Sequence, residues 1–294
     1  MMLHKPVLLE ETLSQLSLDS DEIVLDGTIG YGGHAQGVLD QLTGRSQLIG
    51  LDQDPVAIAH CESRFKGVSQ VQLFCLNYSQ FLLALEKSGV SSFTKGILDL
   101  GLSSVQLDLS GRGFSHQKSE PLDMRMSPLE TEKTAADILN TYDADSLITL
   151  FTTYSELRNV QRFVELICHK RSEALLETTE DLLFCIKKGF YFRNNRKLFM
   201  RTCSQVFQGL RIEVNEELAH LELFLNSLQD ALAVGGRMAI ISFHSLEDRI
   251  VKSFVKENAW LSPINKKVIR PSYQDTRKNS RARSAKLRVF ERIS

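Results

Sequence analysis

Four short apolar runs recur in the first hundred residues: Ile23–Asp26, Gln47–Asp52, Val71–Leu76 and Lys95–Leu100. Each is bounded by turn-forming residues, and the stretches between them, such as Pro55–Phe65 and Tyr78–Ser88, have room for helices. Strands and helices alternating at this spacing predict a parallel sheet of βαβ units. The C-terminal strand ends then carry Asp26, Asp52, Asn77 and Asp99. In an open α/β sheet that edge forms the ligand crevice, so carboxylates collect where a ligand would sit.

The first run leads straight into Asp26-Gly27-Thr28-Ile29-Gly30-Tyr31-Gly32-Gly33-His34. Glycines let backbone approach a small molecule closely and adopt positive φ without steric cost. Gly30 to Ala35 fits G-x-G-x-x-A, with Asp52 about twenty residues on, which makes a nicotinamide-dependent dehydrogenase a rival reading. A pyrophosphate over that loop would lie close to Asp26, and their repulsion would go uncompensated. S-adenosylmethionine has no phosphate. Its ammonium and sulfonium groups are attracted to a carboxylate, and Asp52 remains available for the ribose hydroxyls. The residues favour S-adenosylmethionine over NAD.

The alternation stops after Gln106. Gly111-Arg112-Gly113-Phe114-Ser115 reads as a loop, and Thr131 to Gly209 holds no convincing strand. Leu157, Val160, Phe163, Val164, Ile167 and Cys168 follow helical spacing, and Thr178–Lys188 is a second helical candidate. Leu218 to Leu232 predicts the helix returning to the sheet, stopped by Gly235-Gly236. Met238–Phe243 is then a fifth strand, with Val268–Arg270 and Lys286–Glu291 as final ones. The expected organisation is a sheet domain from 1–108 and 210–294, interrupted by a mostly helical substrate domain at 109–209.

With 43 % hydrophobic and 24 % charged residues, the 294-residue composition is that of an ordinary globular protein. The Met1–Pro6 start lacks the apolar stretch of a signal peptide, and no run reaches membrane-spanning length. Five scattered cysteines without a C-x-x-C pair suit a reducing cytoplasm and give no metal-site spacing. The net charge of −1 hides an asymmetry. Seven basic and no acidic residues lie from Ile186 to Arg211, and ten basic residues face Asp275 and Glu291 from Ser262 onward. Two such blocks suggest a polyanionic partner. Phe190, Tyr191, Phe192, Phe199 and Phe207, interleaved in the first block, suit base stacking beside phosphate contacts.

Longer motifs sharpen this reading. Asp26–His34, Leu51–Pro55, Asp99–Asp108, Gly111–Ser115, Pro121–Met126, Ser242–Arg249 and Arg283–Arg288 together resemble, in order and over nearly the whole chain, the bacterial 16S rRNA (cytosine-N4)-methyltransferase family, RsmH or MraW. The resemblance implies a Rossmann-like S-adenosylmethionine-dependent methyltransferase sheet with an inserted helical domain. It also implies N4-methylation of a decoding-region cytosine of 16S rRNA within the small ribosomal subunit. Gly32, Gly33 and His34 match the family's cofactor loop, Asp52 its ribose acid, and Asp99 and Gln106 further cofactor contacts. Tyr78 stands where the family usually has phenylalanine, against the adenine. An amino-methyltransferase acting on another RNA or DNA base stays open as an alternative, as does a homodimeric state.

The chain departs from the family pattern in three places. Arg201–Gln205 replaces His-Pro-Ala-Thr-Arg, and the following Phe207-Gln208-Gly209-Leu210-Arg211 has glycine where the family has alanine. Tyr154-Ser155-Glu156-Leu157 lacks the glycine and second glutamate usual after that tyrosine, and Asn279-Ser280-Arg281 lacks a proline.

A cytosine amine is a poor nucleophile, so acceptors at its two hydrogens favour attack on an activated methyl. Asp99, Ser103 and His244 are the catalytic candidates, with Ser103 and Ser104 alternatively turn-formers. His244 either holds the base or takes a proton, or is a structural histidine bonded to the backbone. Arg112, Arg125, Arg201, Arg211, Arg283 and Lys286 are the candidate RNA contacts, with an Asp123–Arg125 structural pair as the alternative for Arg125.

Overall fold

A computed structural model describes residues 6–102, 111–128 and 130–294, apart from the side chains of residues 278, 280 and 281. Ser103, Ser104 and Gln106 lie outside the described residues. The chain divides into two compact units, Met1–Gly101 with Leu218–Ser294, and Leu102–Glu217. These boundaries differ from the expected 108/109 and 209/210, and the second expected cut would sever a continuous helix.

In the first unit the elements run α1 (Leu9–Leu16), β1 (Ile23–Asp26), α2 (Gly33–Leu39), β2 (Gln47–Asp52), α3 (Pro55–Arg64) and β3 (Val71–Cys75). A 3-10 turn at Tyr78–Gln80, α4 (Phe81–Lys87) and β4 (Phe93–Asp99) follow. After the second unit come α10 (Glu217–Ala231), β5 (Leu232–Ser242), α11 (Ser245–Glu257), β6 (Leu261–Pro263), α12 (Tyr273–Lys278) and β7 (Lys286–Arg292). The sheet order is β3-β2-β1-β4-β5-β7-β6. β1 to β5 pair in parallel, and β7 lies antiparallel to both β5 and β6.

Successive strand residues face opposite sides. Val24, Leu48, Ile97 and Ala239 pack with α1, α2 and α3 through Leu16, Val38 and Ile58. Leu25, Ile49, Leu98 and Ile240 pack with α4 and α10 through Phe81, Phe224 and Leu228. The parallel order reverses between β1 and β4, and the crevice of such a sheet opens at that switch, over the carboxyl ends.

Two sheet details differ from expectation. β5 begins at Leu232, and Gly235-Gly236 lies inside it, in an irregularity where the partner register jumps from Phe93 to Lys95. The glycines kink the strand; α10 has already ended at Ala231. The expected strand at Val268–Arg270 is a single bridge from Ile269 to Leu287. Asn265 takes the neighbouring β7 positions with its side chain, accepting from Val289 N at 2.6 Å and donating to Leu287 O at 3.0 Å. β6, three residues ending in proline, shows no alternation by which a sequence could announce it.

The second unit contains α5 (Ala135–Thr141), α6 (Ala144–Thr153), α7 (Gln161–Glu173), α8 (Thr179–Gly189) and α9 (Arg196–Asn215). Thr134, Asp143, Thr178 and Asn195 cap α5, α6, α8 and α9, each accepting a backbone N–H from the first turn. Its own core is built on Phe151, Phe163, Leu182, Val206 and Leu210. No helix among the described residues is long and apolar enough to cross a membrane.

Candidate active site

The glycine loop leaves β1 while still held by the sheet: Gly27 N donates to Ile97 O at 3.0 Å and Ile29 N to Leu51 O at 2.8 Å. Gly30 and Gly32 have φ of +51° and +75°, where a side chain would be strained. Gly32 is the N-cap of α2, and Gly33 opens that helix against Pro6.

Three carboxylates surround this loop. Asp26 is fully buried; its Oδ1 accepts from Thr28 N at 3.2 Å, and its Oδ2 has no hydrogen-bond partner among the described residues. Burial pushes it up to about 7, opposed by the Thr28 bond and reinforced by the charge of Asp52. Asp52 accepts from Gly30 N and Asp54 N, each at 2.9 Å, so it ties the end of β2 to the loop after β1. Burial raises it to about 6 against those two bonds. Asp99 is held at the end of β4 by its own N–H, which donates to Thr28 Oγ1 at 2.6 Å, while its buried Oδ1 has no hydrogen-bond partner among the described residues. Burial, then the charges of Asp26 and Glu247, raise it to about 8.

His34 faces this group from α2. Its Nε2 lies 3.2 Å from Val7 O, and a carbonyl only accepts, so Nε2 carries the proton. Nδ1 then presents a lone pair toward Asp99 Oδ2 at 3.6 Å, too far for a hydrogen bond. Burial lowers the imidazole to about 4 and keeps it neutral. Tyr78 opens the 3-10 turn after β3, with its Cβ only 3.1 Å from the position a Gly27 Cβ would occupy and its ring edge-on to Phe224.

His244 follows β5 as the N-cap of α11. Its Nδ1 accepts from Glu247 N at 3.4 Å, and Glu247 returns a bond from Phe243 N at 2.8 Å. His244 Nε2 lies 3.1 Å from Glu247 Oε1 but is misaligned for a hydrogen bond. Nδ1 is therefore the acceptor that serves the cap, and Nε2 carries the proton and can only donate. Phe243 packs its ring over Gly101, just beyond β4.

Several supports escaped the sequence reading. Cys61 donates from Sγ to Gly30 O at 3.2 Å, and burial, with the charges of Asp26 and Asp52, pushes its thiol up to about 12. Arg64 donates to Tyr31 O at 2.8 Å, and the Tyr31 ring sits 4.7 Å from that of His60. These residues of α3 hold the outer side of the loop. Their only sequence signal is a shared helical face, since Cys61 and Arg64 are three apart.

The expected RNA contacts divide. Arg201 and Arg283 are exposed. Arg125 instead forms the pair with Asp123, at 2.8 and 3.0 Å, and Arg112 donates to Arg125 O at 2.7 Å. Arg211 grips Glu217 with two bonds of 2.7 and 2.9 Å. Lys286 shares Asp248 with Arg288. The expected aromatic platform is corrected more sharply. Phe207 is buried, and Phe190, Phe192 and Phe199 pack on the core of the second unit, so only Tyr191 is presented to solvent. Helix periodicity places Phe199 and Phe207 on the core side of α9, and the extended backbone after α8 turns Phe190 and Phe192 inward.

The model of the MraW methylase family matches residues 1–293. The chain belongs to the MraW methylase family. Proteins named ribosomal RNA small subunit methyltransferase H from Dictyoglomus thermophilum and Heliobacterium mobile are 39 % and 40 % identical to it. Those alignments span 99 % of this chain and 97 % and 99 % of the relatives. A putative methyltransferase of Streptococcus mutans, solved in complex with SAH, is similar at a TM-score of 0.48 and 13 % identity, over 99 % of both chains. The MraW family match makes this chain a methylase, and the dehydrogenase alternative is not supported.

Proposed function

We propose that this methylase transfers the methyl group of S-adenosylmethionine to N4 of a cytosine in the decoding region of 16S rRNA. The observation that carries the cofactor is the set of Asp26, Asp52 and Asp99 around one positive-φ loop, with two of their buried oxygens lacking a partner among the described residues. Buried carboxylate oxygens without partners fit a cationic ligand and oppose a phosphate. The names of the relatives support rRNA of the small subunit as the acceptor.

S-adenosylmethionine, when bound, supplies a methyl group activated by its sulfonium. Asp52 would accept the ribose hydroxyls with the lone pairs left after its two backbone bonds. Asp26 and Asp99 would lie toward the cationic groups, Gly32 and Gly33 would let the chain approach closely, His34 would line the pocket as a neutral imidazole, and Tyr78 would cover the adenine. Gln106 completes this set from outside the described residues. Asp99 and Ser103 are the proposed acceptors for the cytosine amine, orienting its lone pair for attack, and His244, whose Nε2 carries the proton while Nδ1 accepts the cap bond, would donate to the base and hold it. The base must be unstacked to reach them. Arg201 and Arg283, exposed, suit phosphate contact; Arg112, Arg125, Arg211 and Lys286 would shape the surface through the bonds described above.

Labelled methyl transfer to small subunits or RNA lacking this modification, followed by nucleoside analysis, tests the reading. N4-methylcytidine is the expected product. Label in N6-methyladenine or on carbon 5 of cytosine would refute N4 chemistry, and, with DNA offered in a parallel reaction, label in DNA alone would favour the other amino-methyltransferase reading.

A further inference from the structure

The turn between α8 and α9 presents one aromatic ring within the longest stretch of the chain that lacks an acidic residue. No acidic residue occurs from 182 to 212. Lys187, Lys188, Arg193, Arg196 and Lys197 are all exposed, and none has a salt-bridge partner among the described residues. Arg196 and Lys197 stand in the first turn of α9, where positive charge opposes the helix dipole and no acidic side chain offsets it. Local stability alone would select against that placement.

The backbone makes the presentation rigid. Phe190 is extended, with φ −114° and ψ 154°, so neighbours alternate in direction. Phe190 and Phe192 turn inward, in a file of rings from Phe163 to Phe199 with centroid spacings of 5.1, 6.3 and 5.1 Å. Tyr191, between them, points outward and is 80 % exposed. Asn195 N then donates to Phe192 O at 2.7 Å across Arg193 and Asn194, whose φ values of +45° and +57° have the signs of a type I′ turn. Glycine would fit the first of these positions without strain. Arg193 occupies it, and its guanidinium carbon lies 5.6 Å from the Tyr191 ring centroid.

We infer that Tyr191 is a stacking platform for an unpaired base of the RNA substrate, backed on one ring face by Arg193. Lys187, Lys188, Arg196 and Lys197 hold the flanking phosphates. The inference rests on the rRNA reading above and adds to it a specific contact in the second unit. Cations alone would serve an acidic protein equally well. An outward ring set among cations that have no salt-bridge partner among the described residues is the combination that binds single-stranded nucleic acid. Its anchored backbone lowers the ordering cost of binding.

The test compares Tyr191→Ala and Tyr191→Phe with the unmodified enzyme. Three quantities are read: anisotropy with a single-stranded oligoribonucleotide of decoding-region sequence, methyl transfer to small-subunit RNA, and S-adenosylmethionine affinity by calorimetry. Tyr191→Ala should weaken oligonucleotide binding about tenfold and raise KM for RNA by a similar factor, with kcat and cofactor affinity unchanged. Tyr191→Phe keeps the ring and should stay within about twofold. Unchanged oligonucleotide binding by Tyr191→Ala overturns the inference, and so does an equal loss in Tyr191→Phe, which would assign the contact to the hydroxyl. If the unmodified enzyme transfers no methyl to small-subunit RNA, the rRNA reading fails instead, while the oligonucleotide comparison still decides the platform.

Discussion

At the scale of single residues, the candidate cofactor site is a problem of charge burial. Asp52, Asp26 and Asp99 sit at about 6, 7 and 8, each raised chiefly by desolvation. A cation arriving beside them favours the ionised forms, so binding must release protons wherever they are still held. S-adenosylmethionine affinity should therefore rise with pH between about 5.5 and 8.5. Calorimetry in buffers of different ionisation enthalpy should register net proton release at pH 6.5. His34, lowered to about 4, is neutral throughout this range and contributes nothing. Asp52→Ala should weaken cofactor binding about 10- to 100-fold, the loss of a charged hydrogen-bonding group. Affinity independent of pH would show that the carboxylates are already ionised before binding. The aspartates and glycines were legible because strand ends converge on one edge. Thr28, Cys61 and Arg64 were not, since their contacts join parts of the chain that only folding brings together.

At the scale of elements, β1, β2 and β4 were readable because each is an apolar run ending in aspartate, and β3 because its apolar run is followed by Asn77. α9 was harder. Cys203, Val206, Phe207, Leu210 and Val214 trace a buried helical face, but the basic residues between them drew attention to the other side. α9 also joins two of the departures from the family pattern. A side chain added at Gly209 would place Cβ 2.1 Å from Ser155 Oγ and 3.1 Å from Ser155 N. Where the family has glycine after its tyrosine and alanine in its helix, this chain has Ser155 and Gly209. The small residue has changed sides, and the volume between the two segments is kept. Gly209→Ala should then destabilise by about 1–2 kcal/mol, an overpacking penalty only partly offset by better helix propensity. Adding Ser155→Gly should recover most of it. A double-mutant cycle by urea unfolding is expected to give a coupling of about 1 kcal/mol or more. Additive effects would mean the two departures are unrelated.

At the scale of the whole molecule, the same buried acids set the pH dependence of folding. Unfolded, they titrate near the ordinary 3.8 and, folded, near 6, 7 and 8. Between those values the native state holds more protons than the unfolded chain, so stability falls as pH rises. His34 runs the other way: its folded value of about 4 lies below its ordinary 6.5, so stability rises with pH between those limits and is level above them. Asp181, held down to about 2 by Lys170 and Thr178 against its burial, adds stability that is lost only in acid. Above about pH 6.5 Asp26 and Asp99 act with little opposition from these groups. The cofactor-free protein should melt at a lower temperature at pH 8.5 than at pH 6.5, and Asp26→Asn should flatten that slope. Saturating S-adenosylmethionine should reverse or cancel it, because the ligand binds more tightly as the carboxylates ionise and stabilises in proportion to the logarithm of its affinity. Thermal melts at the two pH values, with and without ligand, give all four quantities. A cofactor-free melting temperature that rises from pH 6.5 to 8.5 would mean that Asp26 and Asp99 are charged in the folded protein before any cation reaches them. The loop's attraction for its ligand would then come from a standing negative potential, with no proton release on binding.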